Sequence, residues 1–166
     1  IIADEPTTAL DVTIQAQIFD LILNMKSRDT SLLLITHDMG VIWEMCDRVV
    51  VMYAAKVVEE GPIHKIFQTP KHPYTESLLK SVPRLHQKCD RLETIEGQVP
   101  SPKEYPVGCR FRDRCPYGWD RCDSAPPPLY QLDADQQAAC CLYEGGGNMP
   151  VHPKKRTVEK TEKPES

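Results

Sequence analysis

Apolar and polar positions divide the chain into a regular first part and a broken second part. Ile1-Ile2-Ala3 is a short apolar run stopped by Asp4-Glu5-Pro6, the pattern of a buried strand that delivers acids to a sheet edge. From Val12 to about Arg28, Ile14, Ile18, Leu21, Ile22 and Met25 fall on one stripe, which predicts a helix. Asp11 stands where an N-cap belongs and can satisfy free N–H groups of the first turn. Ser31 to Thr36 is a continuous apolar run of strand length, suited to a parallel strand buried on both faces. Met39 to Cys46 predicts a short helix and Arg48 to Tyr53 a strand, followed by a turn at Ala54-Ala55 into Lys56 to Glu60. Gly61-Pro62 closes the sheet region. Ile63 to Gln68 and Glu76 to Ser81 predict short helices, and Ile95 to Pro102 has β and turn chemistry without a helical period.

Length and composition bound this picture. At 166 residues the chain has room for one ordinary domain, or half of one with an appendage. It opens in mid-strand without an initiator Met, so the expectation is the C-terminal portion of a longer protein whose first sheet neighbours lie upstream. A net charge of -4 gives no argument for nucleic acid. No apolar run approaches the roughly 20 residues of a membrane span, and there is no secretory signal. Fifteen prolines, mostly after Pro62, mark the loop-rich part. Seven cysteines without a signal peptide suit a reducing cytosol, where thiols pair with metals more readily than with each other.

The acids and one histidine are the first candidate chemistry. Ligands of open α/β sheets sit outside the carboxyl ends of the strands. Successive side chains of a strand point to opposite faces, so Asp4 and Glu5 take different tasks: one can hold a metal ion while the other faces a reacting water. His37 follows the second strand and leaves the sheet at the same edge, one crossover helix later. The run Asp4-Glu5-Pro6-Thr7-Thr8-Ala9-Leu10-Asp11, with Thr36-His37-Asp38 after one helix and one strand, resembles the Walker B, D-loop and H-loop of an ABC-transporter ATPase.

That resemblance implies roles. Asp4 holds Mg²⁺ through its water shell, Glu5 is the general base for the water that attacks ATP, His37 contacts the γ-phosphate, and Asp11 reaches across an ATPase dimer. It also implies partners: a second ABC ATPase subunit, identical or a sister, two transmembrane permease subunits and, indirectly, an extracytoplasmic solute-binding protein, with no nucleic acid. The place implied is the cytoplasmic face of the cell membrane. Ala55 departs from the family, which usually has Gly at the second turn position, so the hairpin turn is expected to be of another type or strained. The chain contains no G-x-x-x-x-G-K-[ST] phosphate loop, no Q-loop and no Ser-Gly-Gly-Gln signature. Without that backbone cradle and its lysine, the chain alone is expected to be inactive as an ATPase.

Pro70, His72-Pro73-Tyr74-Thr75 and Leu78-Leu79 resemble the segment that sets oligopeptide/dipeptide importers apart from other ABC ATPases. Peptides are therefore the expected solute, with nickel or other small solutes as further possibilities. His72, beside a proline, reads as a structural turn residue. Cys109, Cys115 and Cys122 are separated by five and six residues, and Cys140 follows after seventeen more. Structural zinc sites and ferredoxin-type clusters both use tighter gaps, so spacing alone selects no metal. Gly108-Cys109-Arg110-Phe111, Arg114-Cys115-Pro116-Tyr117, Cys122, Pro126-Pro127 and Ala139-Cys140 resemble the extension of the same importers. There the resemblance implies a 4Fe–4S cluster on Cys109, Cys115, Cys122 and Cys140, with zinc as the alternative. Cys141, where the family more often has His, could compete with Cys140. Arg110, Arg112, Arg114 and Arg121 either offset thiolate charge or are ordinary solvated arginines. Cys46 reads as a small buried hydrophobe, and Cys89 has no assigned role.

The expected architecture is α/β: the C-terminal part of an ABC ATPase (P-loop NTPase) sheet over residues 1–61, a helical linker over 62–88, a small irregular cysteine-rich extension over 89–144 and a disordered tail over 145–166. The extension has too few apolar residues to bury a core of its own. The tail lacks the apolar residues to offset ordering entropy; its Lys154-Lys155-Arg156 reads as solubility rather than lipid contact. A second function from another class is a cysteine-metal module with a structural or redox-sensing role, for which the first sixty residues are scaffold.

Overall fold

The computed structural model describes residues 1–8, 10–25, 29–82 and 94–145. Cys89, Lys154, Lys155 and Arg156, the second half of the linker from residue 83 and the tail from residue 146 lie outside them. The chain is mixed α/β and divides into two compact units, Ile1–Cys46 and Asp47–Ser166.

The first unit is built on β1 (Ile2–Asp4), α1 (Val12–Met25), β2 (Leu33–Ile35) and α2 (Met39–Met45). β1 and β2 pair in parallel, with Ile2 opposite Leu33, Ala3 opposite Leu34 and Asp4 opposite Ile35. Parallel pairing needs a crossover, and α1 supplies it. Asp11 caps α1 as expected, its Oδ1 accepting from Ile14 N at 2.9 Å. Asp38 caps α2, its Oδ1 accepting from Gly40 N and Val41 N. Burial differs from expectation. β2 is not buried on both faces: Leu33 and Ile35 are open and Leu34 is half-buried. No residue of α1 is buried, and the predicted stripe stays open at Ile14, Leu21 and Met25. Two strands cannot cover a parallel sheet, so periodicity placed these elements correctly while misjudging what packs on them. Cys46 is half-buried rather than fully buried.

The second unit begins with the hairpin β3 (Arg48–Tyr53) and β4 (Lys56–Pro62), followed by α3 (Ile63–Gln68) and α4 (Pro73–Lys80). α4 starts three residues earlier than the sequence suggested, because Pro73 takes the first helical position and His72 is the N-cap. His72 Nδ1 accepts from Tyr74 N at 3.0 Å, which is the structural role expected of it. After α4 come α5 (Arg121–Ser124) and two very short strands, β5 (Tyr130–Gln131) and β6 (Gln137–Ala138). They extend the hairpin into an antiparallel sheet of order β3-β4-β6-β5. Among the described residues of the stretch from Ile95 to Pro102 there is no strand.

The hairpin turn carries the strain that its sequence suggested. Ala54 and Ala55 both have positive φ, 46° and 60°. That left-handed pair is the turn whose twist suits a hairpin and which usually takes Asn-Gly. Each alanine there costs on the order of 1–2 kcal/mol. Arg110 anchors the turn from the cysteine-rich segment, its Nη1 donating to Ala54 O.

A register shift lies between Val51 and Met52: Val51 pairs with Glu59, but Met52 pairs with Val57. The additional residue on β4 allows two successive residues, Val58 and Glu59, to be buried where a regular strand would alternate. Val58 joins Val51, Tyr53, Ile66 and Phe111 in one core. Phe111 comes from the cysteine-rich segment and is 1% exposed. That segment therefore shares the hairpin's core instead of building its own, and the compact units part after Cys46.

Glu59 is the polar centre of this unit. It is fully buried and accepts from Lys71 N at 2.7 Å, His72 N at 2.9 Å and Gln136 Nε2 at 2.9 Å. One carboxylate thus joins β4, the entry to α4 and the loop before β6. Burial holds the His72 imidazole neutral, with its pKa pushed down to about 3.

Candidate functional site

The first unit brings the predicted acid and imidazole together. β1 and β2 run parallel, so both end at one edge; Glu5 follows β1 directly and His37 lies two residues beyond β2. Glu5 N donates to Ile35 O at 2.8 Å, extending the pairing past Asp4. Glu5 then turns at φ 44°, a left-handed value rare for a residue with a side chain, and its carboxylate faces the end of β2. His37 Nδ1 lies 2.7 Å from Glu5 Oε1. Thr8 Oγ1 donates to Glu5 Oε2 at 3.2 Å, so both carboxylate oxygens have partners. Thr8 was not singled out in the sequence as a site residue; its position three residues after the acid, in a turn, is the signal that would have found it.

This pair tunes both groups. The hydrogen bond to Glu5, with its charge, raises the His37 pKa above 6.5. The hydrogen bond from His37 holds the Glu5 carboxyl below its usual value. Because the folded His37 value is raised, what the pair adds to stability is complete below the unpaired histidine value and is lost as pH rises through the raised one. Because the Glu5 value is lowered, its share is present above the ordinary carboxyl value and is lost as pH falls through the lowered one. The His37 side chain is 86% exposed and that of Glu5 38%, so salt screens the attraction. Asp4 is exposed at the end of β1, next to the pair. Asp11 is exposed as well, its carboxylate engaged by the first turn of α1.

The second unit draws the cysteines into one neighbourhood. Cys109 N donates to Cys122 O at 2.8 Å, which closes the first loop of the segment. A Cβ on Gly108 would fall 1.9 Å from Cys122 O, so only glycine permits that approach. Cys109, Cys115, Cys122 and Cys140 lie close enough for charge on one to affect another. Burial pushes Cys115 and Cys140 up to about 12 and raises Cys109. Interaction with the Cys141 side chain lowers Cys122, and the same interaction raises Cys141. The arginines are engaged locally: Arg114 with Glu96 O, Ile95 O and Tyr53 Oη, Arg112 with Asp113 and Asp123, and Arg121 with both oxygens of Glu144. Arg121 also favours the charged form of Cys122.

Four thiols are a suitable donor set for iron–sulfur or zinc chemistry. Their arrangement is not that of a finished site. Among the described residues, no group of three or more His, Cys, Asp or Glu side chains is placed to hold a metal ion. Sequence spacing placed the four cysteines in one segment but carried no information on their mutual distances.

A parallel strand pair ending in adjacent acids, with an imidazole bonded to the second acid, is what an ABC-type ATPase sheet would present at its carboxyl edge. Comparison with known proteins agrees. The family model described as the oligopeptide/dipeptide transporter C-terminal region matches residues 58–122. The oligopeptide transport ATP-binding protein AppD of Bacillus subtilis is 49% identical over 148 residues, 89% of this chain and 45% of that protein. The dipeptide transport ATP-binding protein DppD of Escherichia coli is 47% identical over 141 residues, 84% of this chain and 43% of that protein. A putative peptide import ATP-binding protein of Brucella melitensis is 49% identical over 141 residues, 84% of this chain and 42% of that protein. The chain belongs to this family of oligopeptide/dipeptide ABC-transporter ATP-binding proteins, and it spans less than half the length of the curated relatives it matches. Among the described residues, no helix is long and apolar enough to cross a membrane.

Proposed function

We propose that this chain is part of the ATP-hydrolysing subunit of an ABC importer for dipeptides or oligopeptides. The observation that supports the reading most is the 2.7 Å contact between Glu5 and His37 at the strand edge beside Asp4. Hydrolysis of a phosphoanhydride needs positioning and charge neutralisation more than covalent chemistry. Glu5 accepts the proton of the attacking water as its oxygen approaches the γ-phosphorus. His37 orients the Glu5 carboxylate through Nδ1 and offers its other ring nitrogen, Nε2, to the γ-phosphate. Asp4 would hold Mg²⁺, which would neutralise charge on the phosphates, and Asp11 would couple two ATPase subunits. The phosphate loop and signature segment are supplied by sequence that these 166 residues do not contain. The partners are a second ATPase subunit, two transmembrane permease subunits and, indirectly, a solute-binding protein, at the cytoplasmic face of the membrane.

Residues 1–61 act as the C-terminal part of the ATPase sheet and 89–144 as the cysteine-rich extension. In that extension Cys109, Cys115, Cys122 and Cys140 would hold an iron–sulfur cluster, or zinc in its place, the support being the four-thiol donor set itself. Ligation would deprotonate the thiols that burial keeps neutral, so metal uptake would strengthen as pH rises, and a bound metal would cross-link a segment that shares another element's core.

The test joins this chain to the phosphate-loop half of the Bacillus subtilis AppD relative and measures ATP hydrolysis. The chain alone should show none. The chimera should turn over ATP, and Glu5→Gln should lower kcat by about a hundred- to ten-thousand-fold while ATP still binds. A chimera that binds ATP and hydrolyses it equally well with Glu5→Gln overturns the assignment.

A further inference from the structure

The second unit holds a cavity of about 380 Å³ that neither the nucleotide edge nor the four-cysteine set accounts for. Its size lies at the small end of the range of about 300–1,000 Å³ typical of ligand pockets. Val58, His72 and Phe111 are buried and close its inner end. There the His72 and Phe111 rings lie 5.8 Å apart, and Tyr53 meets Phe111 edge-on at 5.1 Å. Lys56, Pro126 and Val107, the last 80% exposed, stand at its open end. The bond from Cys109 N to Cys122 O holds the segments that carry Val107 and Pro126 side by side.

The charge of the lining has one sign. Lys56 and Arg110 are its cations, and no Asp or Glu lines it. Elsewhere in this unit cations meet carboxylates: Arg112 meets Asp113 and Asp123, Arg121 meets Glu144, and Lys65 meets Asp133 and Asp135. Among the described residues neither Lys56 nor Arg110 is in an ion pair. Arg110 is nonetheless held in place, because its Nη1 donates to Ala54 O and its guanidinium stacks 3.9 Å over the Tyr105 ring. Those contacts leave further N–H donors on the fork and fix it in advance, which lowers the entropy cost of using it. His72 adds a neutral donor: Nδ1 accepts from Tyr74 N, so the ring proton is on Nε2.

We propose that this cavity binds a small organic monocarboxylate with an apolar body. The carboxylate meets Arg110 and Lys56, and the body is buried against Val58 and Phe111, where an aromatic ring can pack edge-to-face. An ammonium finds no carboxylate in the lining, so amines and free amino acids are rejected. Inorganic anions have no apolar surface to bury against the inner end, so phosphate is a poor ligand. Of the four cysteines given to the metal only Cys109 lines the cavity, and both cations lie outside that ligand set.

The experiment titrates the isotope-labelled full 166-residue chain with hydrocinnamate, isovalerate and hexanoate and follows its amide resonances. Saturable shifts should centre on Val57, Val58, Val107, Arg110 and Ala139. The alcohol and the amine that correspond to hydrocinnamate, and inorganic phosphate, should each bind about tenfold or more weakly than hydrocinnamate. Lys56→Met should weaken hydrocinnamate about two- to fivefold, and Lys56→Arg should restore it. Val107→Glu, a change at an open position, should weaken it about tenfold or more by setting a like charge beside the ligand. An alcohol that binds as tightly as the acid would overturn the proposal, and so would phosphate that does. Shifts centred away from the cavity, or no saturable binding by any of the three acids, would overturn it as well. The comparison of acid with alcohol is made on the wild type and needs no variant to fold.

Discussion

Replacing Glu59 by alanine should be among the most damaging single changes in the second unit. Its carboxylate is fully buried and accepts two backbone N–H groups, from Lys71 and His72, as well as the Gln136 amide. Gln136 retains Thr69 O at 3.2 Å, so its amide keeps an acceptor. The two backbone donors have no replacement among these bonds. Each donor left buried without an acceptor costs about 1–3 kcal/mol. The gain from no longer burying a charge offsets part of this, and the net loss is about 3 kcal/mol. At a urea dependence of about 2 kcal/mol per M, the unfolding midpoint falls by about 1.5 M. Glu59→Gln retains one accepting oxygen but turns an NH₂ toward one set of donors, and should lose about 1–2 kcal/mol. Glu60→Ala, beside it and partly open, should stay within about 0.5 kcal/mol of the parent. The assay is urea unfolding followed by tyrosine and tryptophan fluorescence together with circular dichroism. A Glu59→Ala midpoint equal to that of Glu60→Ala would refute the role given to this carboxylate.

Gly108→Ala should destabilise the second unit by several kcal/mol and open the contact between Cys109 N and Cys122 O, because its Cβ meets backbone rather than a movable side chain. The check is the same urea series, with thiol accessibility to a maleimide as the second reading. Hydrogen exchange should distinguish the two units: amides of α1, which buries no residue, should exchange much faster than those of β3 and β4, which flank the Val51, Tyr53 and Val58 core. Equal protection in both would contradict the burial described.

What could be read beforehand followed the reach of each interaction. The α1 stripe, the β3 run and the two short helices after it depend on neighbours within a turn or a strand, and periodicity exposes those. The strand edge with Asp4, Glu5 and His37 was legible because its residues follow strand ends and form a specific motif. The burial of Glu59 was not. In Val57-Val58-Glu59-Glu60 the two glutamates look alike, and only the register shift against β3 separates them. β5 and β6 are two residues each and owe their existence to pairing with β4, a contact across more than seventy residues that no local pattern announces. Spacing alone selected no metal for the cysteines; only the family resemblance suggested one.

The account depends most on the joining of Glu5 to His37, and a proton titration of His37 tests it directly. The His37 ring resonance, assigned by its loss in His37→Gln, would be followed against pH in the parent chain and in Glu5→Gln. The predicted midpoint lies above 6.5 in the parent and moves back toward 6.5 in the variant, because the carboxylate at 2.7 Å stabilises the charged ring. A parent midpoint at or below 6.5 that Glu5→Gln leaves in place would contradict the pairing, and with it the nucleotide edge proposed here.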